Sequence, residues 1–150
     1  MRRRRPALAL ALIALFAAAG GRAAVEQEPQ PRFVAVDVFV DAGEHTLAGW
    51  QLDVTFGSAT LVGVEGGEPA AFRAAPTYDS RALRGGRVVL AALAREATAQ
   101  LPNGRVRTAR LHVMAREPGL PAHELRSAVA VDVRGNRIEV DVEVRRTENK

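Results

Sequence analysis

The side chains from which most hydrolytic and metal sites are built are sparse in this chain and scattered along it. Three histidines, His45, His112 and His123, stand far apart. His123-Glu124 opens like a helical zinc-protease motif. That motif needs a second histidine four residues on, on the same helix face, and the position holds Ser127. Cysteine is absent, which removes thiol nucleophiles, thiolate metal sites and disulfides. Gly57-Ser58-Ala59 has no further residues in register for a nucleophile elbow, and Ser80 and Ser127 lie in other contexts. A glycosidase pair needs two carboxyl groups about 5–9.5 Å apart across a cleft. Asp37, Asp53, Glu139, Asp141 and Glu143 instead alternate with apolar residues, at the outward positions of strand-like segments where solvation and edge protection account for them. Asp41, Glu44, Glu65 and Glu68 are loop acids of the kind that hold calcium in sandwich folds, but no spacing sets them apart. The expectation is a protein with no catalytic residues, no metal ligand set and no cofactor, calcium at these loop acids being the one alternative.

The first residues read as an export leader over residues 1–24. A basic cluster, Arg2 to Arg5, precedes an apolar run from Ala7 to Ala19 and the small residues Gly20, Gly21, Ala23 and Ala24. Cleavage is expected after Ala23 or Ala24. The apolar run is shorter than the ~20 residues that a permanent transmembrane helix needs, so no stable membrane insertion is expected once the leader is removed. The expected location is outside the cytoplasm: periplasm, cell surface or medium.

Removing the leader also changes the charge. Of 21 basic residues, Arg2, Arg3, Arg4, Arg5 and Arg22 lie within it, whereas all 17 acidic residues lie beyond it. Sixteen basic residues then face seventeen acidic ones, a net charge of −1. The high overall pI therefore gives no support to nucleic-acid binding.

Residues 25–32, with two prolines, read as a solvated linker, residues 33–145 as one folded domain and residues 146–150 as a tail. Within the domain the apolar rhythm is two. Val34, Val36, Val38 and Val40 alternate with Ala35, Asp37 and Phe39; Trp50, Leu52, Val54 and Phe56 alternate with Gln51, Asp53 and Thr55. Trp50 thereby falls in phase with the core. Thr60 to Glu65 suits a third strand. Arg87 to Leu93 suits a strand buried on nearly all sides, although its alanines also fit a helical turn.

Asn103-Gly104 marks a tight turn before Arg105 to Ala115, in which Ala109, Leu111, Val113 and Ala115 share one face and Thr108, Arg110, His112 and Met114 the other. By the same alternation Arg105 and Arg107 stand on the face opposite Arg110. The final pair, Ala128 to Val133 and Ile138 to Val144, flanks Arg134-Gly135-Asn136-Arg137, whose Gly-Asn centre suits a hairpin. Ile138, Val140, Val142 and Val144 point inward, and Glu139, Asp141, Glu143 and Arg145 outward. Short strands at such spacing argue for an all-β fold, a single antiparallel β-sandwich.

Gly66 to Arg84 is the longest stretch without alternation. It carries Glu68, Phe72, Tyr78, Asp79 and two prolines. Long ordered loops are often functional, so Phe72, Tyr78 and Asp79 are the candidate ligand or partner surface. The competing reading has both rings closing the open end of the sandwich.

The order of these segments resembles the cohesin-like and carbohydrate-binding-module-like jelly-roll domains of exported bacterial proteins. The similarity lies in an opening VAVDVFVDAG strand, a GWQLDVTF strand, an LVGVEGG segment, the Tyr78-Asp79-x-x-Ala-Leu stretch, a GRVVLAA strand, a GRVRTARLHV strand and a closing hairpin. It covers about Phe33 to Arg145. The resemblance implies a nine-strand-type jelly-roll sandwich that engages another protein, often a dockerin, through one sheet face; related folds bind polysaccharide instead. The leading expectation is a non-catalytic recognition module for a protein partner, and the alternative a carbohydrate-binding module.

Overall fold

The computed structural model describes residues 28–95 and 97–147. The leader expected over residues 1–24 lies outside them. Eight strands run through the described residues: β1 (Arg32–Asp41), β2 (Gly49–Phe56), β3 (Thr60–Gly66), β4 (Arg87–Leu93), β5 (Arg105–Ala115), β6 (His123–Val131), β7 (Arg137–Ile138) and β8 (Asp141–Arg146). The described residues contain no helix long and apolar enough to cross a membrane.

The strands form two antiparallel four-stranded sheets, in the orders β3-β5-β1-β8 and β4-β2-β6-β7. The fold is therefore an all-β sandwich, with eight strands among the described residues where the resemblance implies nine. The dyad rhythm of the sequence becomes its interior. Val34, Val36, Val38 and Val40 of β1, Trp50, Leu52, Val54 and Phe56 of β2, and Leu111 and Val113 of β5 are all buried. Each such aliphatic or aromatic side chain contributes roughly 1.5–3 kcal/mol of burial free energy, and no disulfide supplements it.

Two features depart from simple alternation. The first is a bulge in the β1/β5 pairing: Val38 faces Ala109 and Phe39 faces Arg107, so Thr108 has no partner of its own. Its hydroxyl is buried and donates to the carbonyl oxygen of Val38 at 3.3 Å. One extra residue inverts the parity of everything before it. Val106 therefore packs against the core. Arg105 and Arg107, opposite Asp41 and Phe39, join Arg110, opposite Asp37, on the outer face. The expectation that these arginines stand on opposite faces is corrected by this one residue.

The second departure is in the last hairpin. The turn forms as expected, with Gly135 at a φ of 78°. The Asp132 carboxylate accepts the backbone N–H groups of Arg134 and Asn136, each at 2.8 Å. The strand expected from Ile138 to Val144, however, divides. Only β7 pairs with β6; the chain then crosses to the other sheet, where β8 pairs with β1. Ile138, Val140, Val142 and Val144 pack against the core throughout the crossing, so alternation alone does not register the change of sheet.

Candidate recognition surface

The three residues expected to form a partner surface are not brought together as one. Phe72 ends a 3-10 turn (Ala70–Phe72) and is buried, with only 2% of its surface exposed. Its ring meets Trp50 edge-on, with centroids 6.2 Å apart. Its carbonyl accepts the Gly67 N–H at 2.7 Å, and the neighbouring Glu68 N–H bonds to the carbonyl of Arg107 at 2.9 Å. The loop is thus stapled onto β5 with its ring turned into the core, which corrects Phe72 as a surface residue. Tyr78 is half-buried against the same core. Asp79 is exposed and caps the next 3-10 turn (Ser80–Ala82), accepting the Arg81 N–H at 2.9 Å and pairing with the Arg81 guanidinium at 2.7 Å. Hydrogen bonds from Arg81 hold its carboxyl below the usual carboxylate range. This is a local turn-closing role.

Three of the four loop acids likewise have protein partners. Asp41 Oδ1 accepts the Gly43 N–H at 2.9 Å, Glu65 lies 2.8 Å from His112 Nε2, and Glu68 lies 3.5 Å from Arg107. Among the described residues no group of three or more His, Asp or Glu side chains is arranged to hold a metal ion.

The two outer faces of the sandwich differ sharply. Over the middle of the β3-β5-β1-β8 sheet the outward residues form an interlocked set of opposite charges. Asp37 receives Arg110 Nε at 2.7 Å and Nη2 at 3.2 Å, and Arg107 lies 3.8 Å away. Arg105 pairs with Glu143 across β1, and its guanidinium lies 3.8 Å from the Phe39 ring centroid, with Arg145 at 4.9 Å from the same ring. Burial works against the charge on Asp37, but the hydrogen bond and charge of Arg110 outweigh it and hold the carboxyl below its ordinary value. Charge on this face is largely satisfied internally.

The β4-β2-β6 face is built otherwise. Register places Leu93, Gly49 and Val131 in one outward row, Ala91, Gln51 and Val129 in the next, and Val89, Asp53 and Ser127 in the third. Leu93 is 72% exposed and Val89 40%. A Cβ added at Gly49 would lie 3.0 Å from Leu93 Cδ1 and 3.1 Å from Val131 Cγ2, so this glycine is what lets the two side chains close over the strand between them. Asp53, in the third row, is held by Arg87 through hydrogen bonds of 3.0 and 2.7 Å, which lower its pKa.

No family model, curated protein or solved structure matches the chain.

An antiparallel sheet with a solvated face ordinarily alternates apolar inside with polar outside. The first sheet follows that rule over its charged middle but bares Phe33, 78% exposed and opposite Met114, at one end, whereas the second departs from it through three successive rows. RVVLAAL is apolar in both phases, which predicts a β4 buried on nearly all sides. The structure makes β4 an edge strand whose inner residues, Val88 and Leu90, are buried while Val89 and Leu93 are bare. The signal was present in the sequence; what it signified was an uncovered face.

Proposed function

We propose that the chain is an exported, non-catalytic recognition module that docks a partner protein on the outer face of β4-β2-β6. The observation that carries this reading is the set of outward aliphatic side chains on three successive rows, Leu93 and Val89 exposed and Val131, Ala91 and Val129 half-buried, on a sheet whose opposite number is largely closed by its own ion pairs. Contiguous exposed apolar surface on a soluble domain commonly marks an interaction site. The chemistry asks for an aliphatic, flat protein surface, with Gln51 in the middle row as the polar group that sets orientation. The resemblance to cohesin-like domains, which engage proteins through a sheet face, supports the same reading. So does the placing of Asp37 and Asp53, each clamped by an arginine rather than opposed across a cleft as an acid and base would be.

Polysaccharide binding has less to build on. Trp50 and Phe72, the rings a sugar platform would use, are consumed in the core, and Phe33 is the single aromatic among the exposed large hydrophobics of the described residues.

The test is Leu93→Glu on the leaderless protein, with Glu65→Ala on the other sheet as control. The thermal melt of Leu93→Glu is expected to match wild type, because the side chain is already exposed. A protein retained from the secreted proteome by immobilised wild type and control should be lost by about tenfold or more with Leu93→Glu. Equal retention by all three, or retention of polysaccharide alone on a glycan array, would overturn the proposal.

A further inference from the structure

Each sheet of an open sandwich has two edges, and an edge strand with free N–H and C=O groups is a template for another strand. Three of the four edges here are blocked by backbone partners or a bulge, and the fourth is guarded only by side-chain charges of both signs. Against β3, Leu61 exchanges backbone hydrogen bonds with Gly85 at 2.9 Å and Arg84 at 2.7 Å. Against β4, Thr77 and Ala91 exchange a pair at 2.7 and 3.0 Å. On the β7 side, β7 covers only Ala130 and Val131, and the remaining margin of β6 is bent by the bulge at Arg126 in its pairing with β2, which turns it away from a flat partner strand.

The fourth edge, β8, is six residues long, and on its free side no described segment makes a backbone hydrogen bond to it. Its inward side chains, Val142 and Val144, are only half-buried, so the core is thinly covered at this margin.

We infer that β8 is a self-association edge, and that its occupant is β8 of a second copy, added antiparallel about a two-fold axis at Val144. Charge register selects this axis. A two-fold axis requires that paired positions be symmetric about one residue, and residues paired across an antiparallel ladder share a face. Centring on Glu143 sets Asp141 against Arg145 twice but Glu143 against its own copy, a repulsive contact at the axis itself. Centring on Val144 sets Glu143 against Arg145 twice, once on each side of the axis, with Val144 against Val144 on the inner face. Cross-strand opposite charges stabilise and like charges destabilise such a ladder.

Both side chains are available for this exchange: Glu143, although paired with Arg105, remains 50% exposed, and Arg145 47%. The product is a continuous eight-stranded sheet that leaves the β4-β2-β6 face of each copy open. The assembly is then bivalent toward the partner that face would take.

The test uses the leaderless protein in sedimentation equilibrium over a wide concentration range, with circular dichroism to confirm folding. Wild type is expected to dimerise reversibly. Glu143→Arg and Arg145→Glu should each weaken the dimer by about tenfold or more, because each turns two attractive pairs into two repulsive ones. Mixing the two single variants should restore association as a heterodimer, and the double variant Glu143→Arg/Arg145→Glu should restore it as a homodimer. Leu93→Glu should leave it unchanged. A wild type that stays monomeric throughout, single variants that dimerise as wild type does, a mixture that shows no rescue, or a dimer abolished by Leu93→Glu would each overturn the inference. The last outcome would place self-association on the apolar face and leave the reading of that face as a docking surface standing.

Discussion

Phe72→Ala is expected to lower the stability of the domain by about 3–5 kcal/mol, the range for emptying a buried aromatic site. The ring is buried, packs edge-on to Trp50 and closes the core beneath the only long loop between β3 and β4. Its removal costs more than contact area. The 3-10 turn that carries it is tied to β5 through the Gly67 and Glu68 amides, and that tie holds the loop only while the ring fills its place. The room for the tie is itself exacting: a Cβ at Gly67 would lie 2.3 Å from the Arg107 carbonyl oxygen. Urea unfolding measures the effect. A fall in midpoint with unchanged slope is the expected outcome, and partner capture per folded molecule should equal that of wild type. A loss under about 1 kcal/mol, or selective loss of binding, would return Phe72 to the surface role that its loop position suggested.

The second large effect is expected at Asp37. This carboxylate sits between Arg110 and Arg107 on the central strand β1 of the charged face, and 7% of the residue is exposed. Asp37→Asn leaves the half-buried Arg110 guanidinium without its paired carboxylate and takes from Arg107 one of its two acidic neighbours, the other being Glu68. Breaking one partner of a fully buried pair costs about 3–5 kcal/mol; with the guanidinium groups partly solvated, roughly 2–3 kcal/mol is expected at neutral pH.

The pH dependence has a definite sign. The folded-state pKa of Asp37 lies below its ordinary value of 3.8, since Arg110 outweighs the penalty of burial. The stabilisation is therefore complete above that ordinary value and disappears as pH falls through the lower, folded value. Asp53, lowered by its hydrogen bonds to Arg87, adds to the same acid window. Wild type should lose stability steeply below about pH 4. The deficit of Asp37→Asn relative to wild type should shrink over that same range. Urea titrations at neutral and acid pH decide the matter, and a deficit that stays constant with pH would show that Asp37 acts by shape rather than by charge.

These two residues also mark how far sequence reading reaches. Asp37 faces outward as its phase predicts, but on an inner strand and buried beneath its neighbours rather than solvated or guarding an edge. The arginines that clamp it come from β5, and their grouping depends on the Thr108 bulge. Phe72 lay in a segment without alternation, where composition gives no sense of inside or outside. Trp50 shows the contrary case: its phase with Leu52, Val54 and Phe56 put it in the core, and 4% exposure agrees. The candidate surface itself was half legible. RVVLAAL announced an apolar strand on both sides, but whether anything covers the second side depends on where β4 sits in its sheet.

What the amino-acid order settled alone is local. Alternation of valines with polar residues makes strands, tells inward from outward within each, and, with Asn103-Gly104 and Gly135-Asn136, places turns between them. Tertiary structure decided the rest: which strands neighbour one another, where the chain crosses from one sheet to the other, and which outer face stays bare. The reason is that a period of two carries only relative phase. One bulged residue reverses that phase, and a crossing between sheets preserves it, so neither can be recognised until the partner strands are in place.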